Sequence, residues 1–201
     1  MLSRSIQVDQ PFAMFEKNGI VTACQGPVHE LKALIDIHTL SKTANTDVAF
    51  VLPYRTIRER GFEANGNEPI LALEMQTVLT LPVAEMISLL PEVPITVAGD
   101  VVPSLSDADF SALVKKLQDT EIDGGNASQI VLSRRFEGQI TGFEVATVLS
   151  IYRRLLQRKG QYMTVLFATG SQFIIGATPE RHIEIRGNET IMIPIAGTLR
   201  K

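Results

Sequence analysis

The carboxyl group of Glu180 is a side chain whose type and setting in this sequence suit acid–base chemistry. It lies in the segment Ile175–Arg181, where small residues let the backbone approach a ligand and Pro179 fixes a turn. A carboxyl held on a tight turn between strands can act as a general acid. An alternative stays open, because Glu180 could instead pair with Arg181 or cap the turn.

A second segment, Gln129–Phe136, alternates apolar and polar residues. We expect a strand over 130–136, and its alternation would place Gln129 and Ser133 on one face and Arg134 on the other.

A third segment, Pro194–Arg200, contains small and polar residues near the end of the sequence. Here Gly197 and Thr198 could offer backbone N–H groups and a hydroxyl to an anion. A plain loop explains the same residues equally well, so both interpretations stay open at this point.

The cysteine and the histidines, which often act as nucleophiles or metal ligands, do not have the sequence surroundings that these roles need. Cys24 is the one cysteine, which excludes an internal disulfide and a multi-cysteine zinc site, and we expect its thiol to be buried in part and inert. The histidines His29, His38 and His182 lack the spacing of metal ligands. We therefore expect no metal site built from this chain alone.

Turn signals and periodicity indicate the elements that would position these segments. Ser106 followed by Asp109 predicts a capped helix, and apolar residues recur at helical spacing over 145–156. Besides 130–136, later strands are expected at 162–168, 172–177, 181–186 and 189–195. Thr169-Gly170-Ser171 and Gly187-Asn188 are hairpin turns. Hairpins in series predict an α+β fold, with a largely antiparallel sheet and helices packed on it.

The first half of the chain has a different texture, with short apolar runs cut by proline and glycine. Strands are expected at 48–52 and 70–73, a short helix near 83–90 and a further strand at 95–97. We therefore expect two parts, 1–105 and 106–201.

Composition narrows the classes of partner. The chain has 201 residues, 45% of them hydrophobic, and a formal net charge of −3, so no global field attracts nucleic acid or an anionic membrane. Apolar runs stay far below the roughly 20 residues of a transmembrane helix, and the first residues do not form a signal peptide. We expect a cytoplasmic protein whose ligands are small molecules or other proteins.

Taken together and in this order, the segments Gln129–Phe136, Ile175–Arg181 and Pro194–Arg200 resemble the chorismate-utilising enzymes. That family includes anthranilate synthase component I, aminodeoxychorismate synthase component I, isochorismate synthase and salicylate synthase. The resemblance covers about residues 105–201. Residues 48–62 look more like the phenazine-pathway branch, whose product is 2-amino-2-deoxyisochorismate.

The resemblance implies a Mg²⁺-assisted displacement on chorismate, in which a nucleophile adds to the ring and the ring hydroxyl leaves as water. Glu180 matches the family glutamate that donates a proton to the leaving hydroxyl. Gly197 and Thr198, with Ala196 before them, match the Gly-Thr region that lines the substrate pocket.

Two matched positions sort the family members. Water-using members have a lysine at the position of Gln129 as general base, and an amide cannot do that work, so Gln129 favours ammonia as nucleophile. In aminodeoxychorismate synthase the position of Ala196 is usually a lysine that attacks the ring, and alanine has no nucleophile. The resemblance therefore implies direct amination, giving 2-amino-2-deoxyisochorismate, or anthranilate if pyruvate then leaves. The choice between these products stays open.

The resemblance also implies partners. Ammonia would come from a glutamine amidotransferase subunit or domain. The family's Mg²⁺-binding glutamates follow the Gly-Thr motif, so the Mg²⁺ ligands are expected outside this chain. The chain thus looks like the N-terminal half of a catalytic component, inactive alone and binding a complementary C-terminal half. The alternatives are an isochorismate or salicylate synthase and a non-catalytic chorismate-binding module.

Overall fold

A computed structural model describes residues 6–158 and 163–193, apart from the side chains of Arg181 and His182. Their strands are β1 (Phe12–Lys17), β2 (Ile20–Gln25), β3 (Val28–Leu31), β4 (Val48–Val51), β5 (Ile70–Glu74), β6 (Thr77–Pro82), β7 (Val97–Pro103), β8 (Phe136–Ile140), β9 (Met163–Ala168), β10 (Phe173–Thr178), β11 (Arg181–Arg186) and β12 (Glu189–Ile193). Their α-helices are α1 (Leu34–Ala44), α2 (Val83–Leu89), α3 (Asp107–Leu117) and α4 (Val145–Leu156). A 3₁₀ helix covers Tyr54–Arg60 and a π-helical turn covers Gln118–Ile122.

The largest described sheet has five strands in the order β10-β9-β1-β2-β6, and all neighbours are antiparallel. Asn18 and Gly19 join β1 to β2, both at positive φ, as a tight hairpin turn requires. β1 also pairs with β9, with Phe12 opposite Ala168. The strand that leads to Glu180 is therefore held in one sheet with the N-terminal strands.

Each face of this sheet packs against a different layer, because successive side chains of a strand point to opposite sides. On one side, Phe12 and Met14 of β1 pack against α2 and α4, where Met86 and Tyr152 are fully buried. On the other side, Ala13, Cys24 and Phe167 pack with Leu73 of a three-stranded sheet, β3-β5-β4. The sheet that carries β10 is thus covered on both faces.

The described chain divides into two compact units. The first takes in the described residues up to Val93 and from Val145 onward, and the second is Pro94–Glu144. The second unit contains α3, the π-helical turn and the antiparallel pair β7–β8, and none of its residues is buried. Large apolar side chains of this unit are exposed instead, among them Val97, Val101, Val102, Leu105, Val114, Ile122, Val131, Phe136 and Phe143. Such a unit has almost no hydrophobic core of its own.

The expected α+β fold with largely antiparallel sheets is confirmed. The helix over 145–156, the hairpins around Gly170 and Gly187 and the Ser106 cap are all present, and the Ser106 hydroxyl accepts from the Asp109 N–H at 3.1 Å. The strand expected at 95–97 lies later, at Val97–Pro103. The division at residue 105 stays a prediction about the family's architecture.

The strand expected over 130–136 was wrong, because β8 begins only at Phe136. Exposure does alternate there, with Ile130, Leu132 and Arg134 less exposed than the residues between them. A strand also needs a hydrogen-bonded neighbour, and among the described residues none pairs along 130–135 as a ladder.

Candidate functional site

Glu180 lies at the end of β10, in a turn closed by Thr178. The Glu180 N–H donates to the Thr178 hydroxyl at 3.0 Å, and this hydroxyl donates to the Glu180 carbonyl at 3.3 Å. Pro179 lies between them, and the Glu180 residue is half-buried. A threonine hydroxyl that bonds the backbone two residues later forms a compact local turn. The backbone of Glu180 is therefore fixed relative to the strand, as a proton donor needs.

The strands on each side of the turn are themselves anchored. Thr178 is paired with Met163 of β9, next to the centre of the five-stranded sheet. The β11–β12 hairpin is linked to β1 through an ion pair in which the Lys17 ammonium lies 2.6 Å from the Glu184 carboxylate. The hydrogen bond from Arg186 and that from Lys17 lower the pKa of Glu184 from its ordinary value of 4.5 to about 2. The lowered pKa keeps Glu184 ionised, and the ion pair with Lys17 in place, below pH 4.5.

Gln129 lies in the second unit, in an exposed segment between the π-helical turn and β8. It does not stand on a strand, so its expected place on a strand face beside Ser133 was wrong. Glu180 belongs to the first unit. The predicted pocket residues Ala196, Gly197 and Thr198 lie outside the described residues. The roles expected of all five stay predictions.

Arg134 is held by four neighbours within the second unit. Its guanidinium lies 2.6 Å from the Asp107 carboxylate and donates to the Leu105 carbonyl at 3.2 Å. Its central carbon lies 5.1 Å from the ring centroid of Phe110 and 4.7 Å from that of Phe136. Sequence reasoning placed Arg134 on a strand face and missed these contacts, because Asp107 and Phe110 lie on a distant helix.

Two arginines of the 3₁₀ helix donate hydrogen bonds to backbone carbonyls outside the helix. Arg55 donates to the carbonyls of Lys32 and Glu68, and Arg58 donates to the carbonyl of Ala64. These hydrogen bonds link the 3₁₀ helix to the backbone of the loop that joins it to β5, and to the backbone just before α1. The contacts give both arginines a structural role that their spacing in the sequence did not indicate.

The first unit also contains an apolar cavity of about 400 Å³ between its two larger sheets. Phe15 of β1, Phe50 of β4, and Val165 and Ile174 of β9 and β10 are among the residues that line it. Its walls offer almost no polar surface. Sequence reasoning did not foresee it, since it arises from the packing of two sheets.

Groups that could bind a metal or act as nucleophiles are sparse in the described part of the chain. No three His, Cys, Asp or Glu side chains come together there as a metal site. Cys24 is fully buried, more than the partial burial expected, and this burial raises the pKa of its thiol to about 11, which disfavours the reactive thiolate. His29 lies 2.7 Å from Glu74 in a pair between neighbouring strands. No described helix is both long and apolar enough to cross a membrane.

Comparison with known proteins places the chain in a family. A family described as chorismate binding enzyme matches residues 41–201. The phenazine-specific anthranilate synthases of Pseudomonas chlororaphis and Pseudomonas fluorescens are 35% and 34% identical to the chain over all of its length. Anthranilate synthase component 1 of Arthrobacter globiformis is 26% identical over 75% of the chain.

The chain spans 33% of the length of the two Pseudomonas proteins and 28% of that of the Arthrobacter protein. The family match begins well before residue 105, so it takes in more of the chain than the three motif segments. The resemblance to chorismate-utilising enzymes, with a phenazine-pathway branch, is confirmed by these matches. The chain belongs to the chorismate-binding enzyme family.

Proposed function

We propose that this chain is part of an enzyme that aminates chorismate, giving 2-amino-2-deoxyisochorismate, or anthranilate if pyruvate is then lost. The observation that carries the proposal is the match of the whole chain to two proteins named phenazine-specific anthranilate synthase. The chain would contribute a proton donor, Glu180, and a residue that favours ammonia over water, Gln129. Ala196, Gly197 and Thr198 would line the substrate pocket.

The proposed reaction is a displacement on the chorismate ring. Ammonia forms a bond to the ring carbon next to the one that carries the carboxylate, the ring double-bond electrons shift, and the bond from the ring to the hydroxyl oxygen breaks. Glu180 gives a proton to the leaving hydroxyl, which departs as water, and the added nitrogen loses one proton. One ammonia is consumed and one water is released.

The geometry around Glu180 supports its role as proton donor. General acid catalysis needs a carboxyl in a defined position, and the Thr178 hydroxyl fixes the backbone at both the N–H and the carbonyl of Glu180. The turn is attached to a strand that is paired within the five-stranded sheet. A rigid sheet therefore supports the residue that has to meet the leaving hydroxyl.

Gln129 supports ammonia as the nucleophile by its chemistry. A water nucleophile needs a base to remove its proton, and a carboxamide has no basic lone pair near neutral pH. Free ammonia is already nucleophilic, so an amide at this position is sufficient. We propose that the ammonia comes from glutamine hydrolysis by an amidotransferase subunit or domain.

The second unit supports the proposal that a complementary portion of the enzyme packs on this chain. A unit without buried residues gains little from the hydrophobic effect, while its exposed valine and phenylalanine side chains lose contact with water when a partner covers them. Relatives with about three times the length of this chain have the additional residues to do so. We therefore expect the chain alone to turn over little or no chorismate.

Mg²⁺ is expected for the family, but the described residues do not form a site for it. No cluster of three acidic, histidine or cysteine side chains is present among them. The steps above are accordingly assigned to Glu180 and Gln129 alone, and the Mg²⁺ ligands are proposed to lie in the complementary portion.

A product assay tests the proposal. The purified chain is mixed with chorismate, Mg²⁺ and an ammonium salt at mildly alkaline pH, with and without the remaining portion of a phenazine-type relative, and products are identified by mass spectrometry. We expect an aminated product only in the mixture that contains both portions. A hydroxylated product would instead indicate an isochorismate-type enzyme. Unconsumed chorismate in the complete mixture would favour a non-catalytic chorismate-binding module.

A further inference from the structure

We propose that Arg134 is a positioning residue, which anchors the segment that carries Gln129 instead of binding a carboxylate of the substrate. The proposal rests on the proposed function, because Gln129 matters only if it selects the nucleophile. An arginine in a motif segment of an enzyme with a dianionic substrate would ordinarily be assigned to bind that substrate, so the contacts of this guanidinium decide between the two roles.

The guanidinium of Arg134 already has partners of three kinds. Its central carbon lies over the rings of Phe110 and Phe136, and the group donates to the Leu105 carbonyl and pairs with Asp107. Only 19% of its side chain is exposed. The planar, delocalised guanidinium can make the two ring contacts, the hydrogen bond and the ion pair together, and the compact ammonium of lysine does not reproduce this set. These contacts hold the arginine at the start of α3.

The backbone of the next residue, Arg135, is hydrogen-bonded to Ser104, which lies just before α3. The Ser104 N–H donates to the Arg135 carbonyl at 2.7 Å, and the Arg135 N–H donates to the Ser104 hydroxyl at 3.0 Å. The side chain of Arg134 and the backbone of Arg135 thus fasten one end of the Gln129 segment to the residues around Ser106, the cap of α3.

The other end of the segment is fastened as well. The N–H groups of Asn126 and Ala127 donate to the Glu121 carbonyl at 2.8 and 3.0 Å, and the Asn126 amide donates to the Glu121 carboxylate at 3.2 Å. Residues 128–133 therefore span two anchors, and Gln129 lies close to the first of them. Loss of one anchor lets a short exposed segment move, so the position of Gln129 depends on Arg134.

The neighbouring arginine offers a matched control. The Arg135 side chain is 75% exposed and pairs only with the exposed carboxylate of Glu137, at 2.8 Å, among the contacts described. Replacement of Arg135 by alanine removes the same charge from the adjacent position, while Arg134 keeps its contacts with Phe110 and Phe136. A difference between the two arginines therefore reports the contacts of Arg134 and not a change in net charge.

Hydrogen exchange tests the anchor directly in the chain as it exists. We expect Arg134→Lys and Arg134→Ala to speed exchange over residues 126–133, while Arg135→Lys and Arg135→Ala leave it unchanged. Asp107→Asn, which keeps both rings and the arginine, should give a smaller increase. Equal exchange in the Arg134 and Arg135 variants would overturn the proposal, and the lysine variants keep the comparison usable if the Arg134→Ala protein fails to fold.

Kinetics of the complete enzyme separate positioning from substrate binding. We expect Arg134→Lys to lower kcat for amination about 10- to 100-fold, the range typical of misplaced groups, with the KM for chorismate nearly unchanged. Millimolar guanidinium should restore part of the activity of Arg134→Ala, since it can occupy the space that the arginine head group leaves beside Phe110 and Phe136. A large rise in KM at constant kcat would show instead that Arg134 binds chorismate. If the parent enzyme forms no aminated product, the proposed function fails while the exchange result still decides whether Arg134 is the anchor.

Discussion

The Thr178 hydroxyl accepts a hydrogen bond from the backbone N–H of Glu180 at 3.0 Å and donates one to its carbonyl at 3.3 Å. A single side chain thus closes the turn that presents the proposed proton donor. The glutamate is fixed by a residue two positions earlier, at the end of a paired strand. The accuracy with which Glu180 meets a leaving hydroxyl should therefore depend on the Thr178 hydroxyl.

Replacement of Thr178 tests this dependence. We expect Thr178→Val, which keeps the shape and removes the hydroxyl, to lower kcat of the complete enzyme about tenfold or more, because the turn loses both hydrogen bonds. Thr178→Ser keeps the hydroxyl and should retain most of the activity. Steady-state kinetics with chorismate give the comparison, and equal kcat values for the valine and serine variants would contradict the role of the turn.

Replacement of Gln129 tests the selection of the nucleophile. We expect Gln129→Lys in the complete enzyme to divert part of the product towards isochorismate, because a lysine amine can remove a proton from water where an amide cannot. The control Gln129→Met, which removes the amide without adding a base, separates the gain of a lysine base from a mere loss of the amide. Product ratios are read by mass spectrometry, and a lysine variant that forms no isochorismate would remove the support for this assignment.

The ion pair between Lys17 and Glu184 predicts a dependence of stability on pH. Because the folded-state pKa of Glu184 is lowered to about 2 from 4.5, its contribution to stability is fully present above pH 4.5 and is lost as the pH falls towards 2. The carboxyl carbon shift of Glu184, followed by NMR, should titrate near pH 2. Arg186→Met and Lys17→Met should each move this midpoint upward, and a midpoint near 4.5 in the parent protein would show that the pairs are absent in solution.

Gly26 predicts a strong effect on stability. A Cβ at this position would lie 2.0 Å from the backbone carbonyl oxygen of Glu74, so the crossing from β2 to β3 requires glycine. We expect Gly26→Ala to lower the free energy of unfolding by about 1–3 kcal/mol, as for other overpacked sites. The control is Gly176→Ala, where the nearest atom, of Val165, is 3.4 Å away and in ordinary contact. Denaturant unfolding of both variants should show a clearly smaller loss for Gly176→Ala.

Local signals predicted the elements whose causes are local. Residues that are close together in the sequence predicted the cap at Ser106, the helix over 145–156 and the hairpins at Gly170 and Gly187. The alternation of apolar and polar residues before Phe136 correctly predicted alternating exposure. A strand also needs a hydrogen-bonded neighbour strand, and no local pattern specifies that neighbour. Pairing between distant segments was therefore the part of the fold that could not be predicted.

The start of helix α1 could not be predicted from local sequence signals either. It begins after Ala33, which has no side chain to cap a helix, so the usual start signal is missing from the sequence. Its first N–H groups are satisfied by Asp36, which accepts from Ala33 at 2.9 Å, and by the distant Glu59, which accepts from Leu34 at 3.0 Å. The residues of the candidate site are predictions from the resemblance, whereas the Thr178 turn and the contacts of Arg134 became visible only in three dimensions.

Isotope labelling of the product tests the central proposal most directly. The complete enzyme is supplied with chorismate, Mg²⁺ and ¹⁵N-ammonium in water enriched in ¹⁸O, and the product is weighed by mass spectrometry. We expect one ¹⁵N and no ¹⁸O in the ring substituent, with the original hydroxyl released as water. A product that carries ¹⁸O in place of nitrogen would contradict amination and would make the enzyme a water-using member of the family.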